Sequence, residues 1–386
     1  MSKPKLIRIT TVPISIVKLL EGQLPFMQNY FDVTAISSNE EELNRFGNEH
    51  GINVYPLAMT RKITPLRDIF AVIKLYYFLR KQRPTIVHTH TPKAGIIGMM
   101  AGYFARVPLR LHTVAGLPLM EASGVKRKML NWVESLTYRY ATKVYPNSKG
   151  LYDFILSEGF TNTSKLKVLG EGSSNGIDTN YFSRDHFTNS ACAKIRQDLS
   201  IPESDIVFIF VGRIVRDKGM DELVAAFTKL NNEYINCSLL LVGPYENDLD
   251  PISDHTKQTI ANHSKIVTTG YRADVRIFYA LSDALVFPSY REGFPNVVLQ
   301  AGAMGLPSIV SDINGCNEII IPNKNGIIVP PKTELELYEA MKLLLTNKAL
   351  YHALKQNARS MITDRYERSN VWQAILGEYQ LLLSNL

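Results

Sequence analysis

Cysteine is scarce in this chain of 386 residues: Cys192, Cys237 and Cys316 are an odd number at wide spacings. They cannot build a disulfide framework, and the close pairs that hold zinc are missing, so they are read as reduced thiols of a cytosolic protein. Long apolar runs are lacking as well. The best, residues 95–105, falls short of the roughly 20 residues that a spanning helix needs, and no membrane crossing is expected. Near the start, Lys3, Lys5 and Arg8 precede an apolar stretch in the manner of a secretory signal, but Pro13 and Lys18 interrupt it and no small-residue cleavage site follows. Residues 6–12 read better as a first strand. Internal repeats and low-complexity tracts are absent too. With 10% aromatic and 20% charged residues, the composition is that of an ordinary globular protein, long enough for two domains.

The glycine fingerprint of dinucleotide enzymes is also wanting. Gly170, Gly172 and Gly176 come near G-x-G-x-x-G, but the third glycine is one residue late and no helix pattern follows. The first strand leads into Pro13 rather than a glycine turn, which argues against a nicotinamide or flavin enzyme. Negative charge is thin in the first half: residues 1–190 carry 24 Lys/Arg against 14 Asp/Glu, whereas the remainder carries 19 against 22. Such asymmetry suits an anionic partner, either an acidic membrane surface or a phosphate-bearing acceptor. Nucleic acid is not expected, since no helix-turn-helix, zinc finger or aromatic-studded basic sheet accompanies the charge. Residues 61–83 place seven Lys/Arg around Ile69, Phe70, Val72, Ile73, Leu75, Tyr76, Phe78 and Leu79, and Lys126-Arg127-Lys128 opens a second apolar stretch. Each reads either as a helix covering a sheet or as a contact with an anionic bilayer.

What is present is alternation. Apolar, β-branched strands at 31–37, 52–59, 85–91, 109–114 and 143–148 follow the first, with helical patterns at 65–81, 94–105 and 125–141 between them. A second series runs through 205–212, 238–243, 266–270, 284–289 and 307–312. The pattern predicts an α/β chain of two doubly wound parallel sheets. The glycine-rich residues 170–176 mark the hinge, giving domains of 1–170 and 171–370, and ligands are expected in the cleft between them at the carboxyl ends of the strands.

Two strand-to-helix turns carry the chemistry. Arg291-Glu292-Gly293-Phe294-Pro295-Asn296-Val297-Val298-Leu299-Gln300 follows a buried strand and opens a helix. Its free amides and the helix dipole favour phosphate, and Glu292 can accept hydrogen bonds from sugar hydroxyls. Gly212-Arg213-Ile214-Val215-Arg216-Asp217-Lys218-Gly219 sets Arg213 and Lys218 at another such turn, able together to neutralise a departing diphosphate without a metal. In the first half, His88 and His90 share a strand face and can line the cleft. Lys93 follows at a helix start, within reach of a phosphate. His112 lies in the next strand, as a packed residue or a cleft residue. Metal ligation by these histidines lacks any accompanying carboxylate or cysteine at ligand spacing.

The V-G-R-x-x-x-x-K-G turn, the N-G-I-D-x-x-x-F segment from Asn175 to Phe182, the strand at 283–289 and the E-G-F-P-N helix start together resemble glycosyltransferase family 4. Residues 112–118 and 172–176 look most like bacterial capsular and surface-polysaccharide transferases. The resemblance implies the two-domain GT-B fold, with residues 371–386 packing back on the first domain, and a retaining, metal-independent enzyme with no cofactor beyond its nucleotide-sugar substrate. It implies that Arg213 and Lys218 bind the donor diphosphate, that Glu292 contacts the donor sugar, and that Gly212, Gly293, Phe294, Pro295, Asn296, Val297 and Gln300 complete the donor site. His90, Lys93, His112 and Asn175 are its candidates for the cleft or the acceptor. The donor it implies is a UDP-linked hexosamine or galactose. The acceptor would be a lipid-diphosphate-linked saccharide, met in the cytoplasm at the inner face of the membrane. The chain departs from the family at two places: Gln300 stands where a second glutamate is usual, and Ala115 where many relatives have histidine. A catalytically silent nucleotide-sugar binder and a GT-B epimerase remain alternatives on these residues.

Overall fold

Six short apolar runs of the first half pair as one parallel sheet: β1 (Lys5–Ile9), β2 (Asp32–Ser37), β3 (Asn53–Pro56), β4 (Ile86–His90), β5 (Leu109–Val114) and β6 (Lys143–Pro146), in the order β3-β2-β1-β4-β5-β6. In the second half β7 (Ile206–Val211), β8 (Cys237–Val242), β9 (Ile266–Thr268), β10 (Ala284–Phe287), β11 (Ser308–Ser311) and β12 (Gly326–Val329) take the order β12-β11-β10-β7-β8-β9, which is the same winding counted from its own first strand. Helices cover the sheets as the alternation predicts, at Pro65–Gln82, Pro92–Phe104 and Gly124–Tyr140 among others. This computed structural model describes residues 3–60, 62, 64–246 and 250–386, with 118 and 121 as backbone alone, so Arg61 of the basic stretch lies outside the described residues. Strand β12 escaped the sequence reading: four residues of Gly-Ile-Ile-Val are too short to show a period.

The chain divides into two units, Met1–Gly176 with Ser369–Leu386, and Ile177–Arg368. The division falls at Gly176 rather than at the expected 170, and hydrogen bonding explains the shift. Ser173 N donates to Asn147 O at 2.7 Å, and Gln23 Nε2 donates to Ser174 O at 3.1 Å and to Asn175 Oδ1 at 3.0 Å, all within the first unit. One residue on, Ile177 N bonds Tyr366 O at 2.8 Å in the second. The helix Arg368–Ser384 returns to the first unit, where Val371, Ile375, Leu376 and Tyr379 join a core with Leu6, Val33, Ile86 and Leu111 on one face of the sheet. Ile7, Ile9 and Val87 point to the other face, under the helix Pro92–Phe104.

Beneath the returning helix lies a buried polar layer. Arg8, 1% exposed, donates to Tyr379 Oη at 2.7 Å, Gln23 Oε1 at 2.5 Å and His90 Nε2 at 2.6 Å. An arginine can only donate, so His90 accepts at Nε2, and Tyr379 Oη is hydrogen-bonded to His88 Nδ1 at 2.5 Å. His88 Nε2 is hydrogen-bonded in turn to Thr113 Oγ1 at 2.7 Å. The rings of His88 and His90 stack 4.6 Å apart, on one face as the period of two requires. His112 sits on the opposite face against the helix Pro92–Phe104, where Gly95 makes room: a Cβ there would stand 2.6 Å from the imidazole. Burial, reinforced by the Arg8 charge, holds His88 and His90 well below their ordinary 6.5, and burial lowers His112 to about 4.

In the second unit glycine lets neighbouring turns touch. A Cβ on Gly219, at φ +70°, would lie 2.2 Å from Pro288 O, so the turn after β7 rests directly on the turn after β10. Both sheets have a switch point where consecutive crossovers leave to opposite sides, between β1 and β4 and between β7 and β10.

Two outcomes follow. Above about pH 6.5 the three buried imidazoles are neutral folded or unfolded; below it the unfolded chain takes up protons that the folded unit refuses. Stability should therefore fall as pH drops below about 6.5, by about 1.4 kcal/mol per pH unit for each histidine, with the His112 share complete near pH 4. Urea midpoints measured from about pH 7 to about pH 5 check this, and a flat profile would contradict it. Gly219→Ala should lower stability by about 1–2 kcal/mol from the left-handed backbone alone, with further loss from the clash at Pro288, read from the same denaturation curves.

Candidate active site

The turns that flank the second switch point are those with the candidate residues. After β7, Gly212 N bonds Val242 O at 2.9 Å and Ile214 N bonds Pro244 O at 2.8 Å, while Ile214 and Val215 are buried at 1%. This pegs the turn at its apolar positions and leaves Arg213 exposed, where it forms an ion pair with Glu246. A short 3-10 turn, Arg216–Lys218, then carries Lys218 inward before the helix Met220–Glu233 begins. After β10, Pro288 and the fully buried Ser289 lead into Glu292.

Lys218 and Glu292 meet. Nζ and Oε1 are 2.5 Å apart with both side chains largely enclosed, and Ser289 Oγ donates to the same Oε1 at 3.0 Å. The turns are tied further by Tyr290 N to Asp217 O at 2.9 Å and by the ion pair of Arg291 Nη2 with Asp217 Oδ2 at 2.8 Å. From the far side, Asn314 Nδ2 donates to Glu292 O at 3.1 Å and Gly293 O at 2.7 Å. Gly315 allows that approach, since a Cβ there would stand 2.5 Å from Gly293 O. The carboxylate and the loop behind it are thereby held before any ligand arrives. The Cys316 thiol beside them is pushed well above its usual value by burial and then by the Glu292 charge, so it stays neutral.

The helix Asn296–Ala303 opens at Pro295, which offers no side-chain acceptor to the first-turn amides. Asn296 is exposed, Val297 half-buried, and Phe294 is tied to the core through an edge contact with Tyr366 at 5.4 Å. One turn along, Gln300 is anchored by Tyr279, whose hydroxyl donates to Oε1 at 3.2 Å. Gly212, Arg213, Lys218, Glu292 and residues 293–300 thus gather at one edge of the second sheet. Asp217, Ser289 and Asn314, which hold them, were not singled out from sequence. Asp217 lies inside the V-G-R-x-x-x-x-K-G turn and was legible there, whereas Asn314 stands 22 residues from Glu292 with nothing to mark it.

The first-unit candidates are placed differently. His90 and His112 are each 2% exposed and hydrogen-bonded inside the unit. Lys93 forms an ion pair with Asp68, and Asn175 accepts from Trp372 Nε1 at 2.7 Å besides its bonds to Gln23 and Glu21. Their visible work is to hold the unit together. Ala115, half-buried, follows β5. An open cavity of about 1090 Å³ lined by Lys3, Lys5, Asp32, Arg80, Arg83 and Thr85 opens at the amino end of the first sheet, away from the strand-end turns.

Comparison with known proteins identifies what the chain is similar to. Residues 193–361 match the model of the glycosyl transferases group 1, and residues 28–170 match a glycosyl transferase 4-like domain. The capsular polysaccharide biosynthesis glycosyltransferase CapM of Staphylococcus aureus is 29% identical over 99% of this chain and 98% of its own. A UDP-Gal:alpha-D-GlcNAc-diphosphoundecaprenol alpha-1,3-galactosyltransferase of Escherichia coli is 26% identical over 95% of this chain and 94% of its own. Among solved structures, HepE of Anabaena in complex with UDP superposes with a TM-score of 0.81 at 19% identity, covering 99% of this chain and 100% of that one. Two doubly wound sheets and matches to two glycosyltransferase domain models across most of the length lead to one conclusion: the chain is a glycosyltransferase of the GT-B fold, with a 4-like domain in its first half and a group 1 domain in its second.

Proposed function

We propose that this glycosyltransferase moves a sugar, with retention of configuration, from a UDP-linked donor to a lipid-diphosphate-linked saccharide in the making of a capsular or surface polysaccharide. The observation that carries the reading is the Lys218–Glu292 pair at the second switch point, which sets a phosphate-seeking cation beside a hydroxyl-seeking carboxylate. The names of the relatives support the chemistry: one serves capsule synthesis, and another takes UDP-Gal and an acceptor on diphosphoundecaprenol. A hexosamine or galactose is the donor sugar we favour. The silent-binder and epimerase readings are not favoured, since both relatives are named as transferases.

In the reaction we infer, the bond from the sugar's anomeric carbon to the UDP oxygen breaks as the acceptor oxygen bonds that carbon on the same face. The acceptor's proton passes to a phosphate oxygen of the departing UDP. Arg213 and Lys218 receive the charge that builds on the diphosphate, the amides of Gly293, Phe294, Asn296 and Val297 face sugar and phosphate, and Glu292 accepts from sugar hydroxyls. No metal or further cofactor enters this scheme. Gln300 takes the ribose hydroxyls, a task an amide can perform as acceptor or donor. The first unit receives the acceptor, and the enzyme works as a peripheral protein at the inner face of the cytoplasmic membrane.

UDP release from a panel of UDP-sugars, with and without a lipid-diphosphate-linked acceptor, tests the reading. Release that requires acceptor, with an axial linkage in the product, is the expected result. Hydrolysis indifferent to acceptor, or none with any donor, would refute it. Lys218→Ala should slow turnover on the order of a hundredfold or more, the loss of one preorganised donor to the developing charge. Gln300→Glu should leave kcat/KM within about tenfold, roughly 1.4 kcal/mol. Complete inactivity there would show that the amide itself is needed.

A further inference from the structure

Two helices of the first unit are apolar on the side that faces away from the protein. In Pro65–Gln82, Ala71, Leu75 and Leu79 are buried against the core. The opposite stripe, Leu66, Ile69, Phe70, Ile73 and Tyr77, recurs every three to four residues and is 46–76% exposed, Phe70 at 71%. In Gly124–Tyr140 the same holds: Glu134, Thr137 and Tyr138 are buried, while Val125 at 85%, Met129 at 37% and Trp132 at 64% line the outward side. Covering a sheet explains one face of such a helix and leaves the other unexplained. Isolated exposed apolar residues are ordinary, but two aligned stripes are not.

The topology sets these stripes side by side. Both helices flank the helix Pro92–Phe104, so all three cover the same face of the first sheet. Most of the exposed apolar residues fall in the first halves of their helices. In a parallel sheet with helical crossovers, helix beginnings lie at the carboxyl edge of the strands, the edge at which ligands bind. Exposed Lys62, Arg67, Lys74, Lys126 and Lys128 border the stripes. The acidic residues of the two helices are withdrawn: Asp68 is paired with Lys93, and Glu134 is 5% exposed.

We propose that these two outward faces form a docking surface for an anionic lipid bilayer, with Phe70 and Trp132 among the side chains entering the interface and the lysines and Arg67 on the headgroups. Charge selects this occupant over a second copy of the chain, because two copies meeting through the patch would bring like charges together. The role of the surface rests on the reading above of a membrane-borne acceptor, since docking would hold the carboxyl edge of the first sheet at the plane where the acceptor headgroup lies.

Sedimentation of the full chain with phosphatidylglycerol-containing vesicles, and with phosphatidylcholine vesicles, tests the surface. Wild-type protein should pellet with the anionic vesicles at low salt and be released by high salt. The double variant Phe70→Ser/Trp132→Ser should partition at least about tenfold more weakly. Lys126→Glu/Lys128→Glu should lose the preference for anionic lipid. Matching thermal melts would show that the variants fold. With acceptor embedded in vesicles the serine variant should lose transfer, while with a tail-less, water-soluble acceptor it should match wild type. Wild-type protein that stays in the supernatant, or variants that pellet as it does, would overturn the proposal. A dimer that falls apart in the serine variant would assign the patch to a second copy instead. Failure of transfer with every acceptor, alongside the expected vesicle binding, would count against the glycosyl acceptor reading and leave the docking surface standing.

Discussion

The contact on which the second unit's chemistry depends is that between two loops whose residues lie about 70 positions apart in the chain. Gly219 rests on the carbonyl of Pro288, and that approach is what allows Lys218 and Glu292 to share a proton-bearing contact at 2.5 Å. A side chain at 219 would push the loops apart before either charged group could meet the other. The parallel order of the strands sets both loops at one edge, the missing Cβ brings them together, and the ion pair with its supporting serine and asparagine fixes the result. Because the carboxylate is already held by Lys218 and Ser289, little reorganisation is required when a polar ligand arrives, which is the condition under which fixed charges contribute most to a barrier.

The first unit solves a different problem. It buries a guanidinium whose partners are a phenol, an amide and an imidazole, none of them an anion, and among the described residues Arg8 Nε finds no partner. Desolvation of that charge is costly, and the layer around it offsets the cost through directed hydrogen bonds rather than through a counterion. The histidines are kept neutral by the same burial, so the set acts as a structural layer in which the arginine fixes the tautomer of His90.

Much of this was legible in the residues. The strand and helix alternation yielded both sheets, because period and length survive without tertiary context, and the two charged turns stood out since glycine, proline and charge cluster there. What could not be read were the partners. Nothing in Asn314 points back to Glu292, and nothing in Asn175 announces Gln23 and Trp372. His90, Lys93 and His112 looked like residues facing a ligand because strand ends and helix starts often do so. The structure instead shows each engaged by a neighbour that arrives from elsewhere in the chain: Arg8, Asp68 and Thr89. Strand β12 is too short to show a period, and the glycines of residues 170–176 mark the hinge without marking the residue within it, Gly176, at which hydrogen bonding changes sides.

The hydrogen bond between Arg8 and Tyr379 joins residues 371 positions apart. As the chain leaves the ribosome, Ile177–Arg368 is complete in one continuous stretch, whereas the first unit waits for the helix Arg368–Ser384 to cover β1 and β4. Until then a charged arginine and two histidines lack their lid, and the sheet face that holds Leu6, Val33 and Ile86 lacks Val371, Ile375 and Leu376. The unit begun before the second is closed only after it, so its folding waits on synthesis of the helix Arg368–Ser384, and a chain truncated before Tyr379 would be defective chiefly in the first sheet.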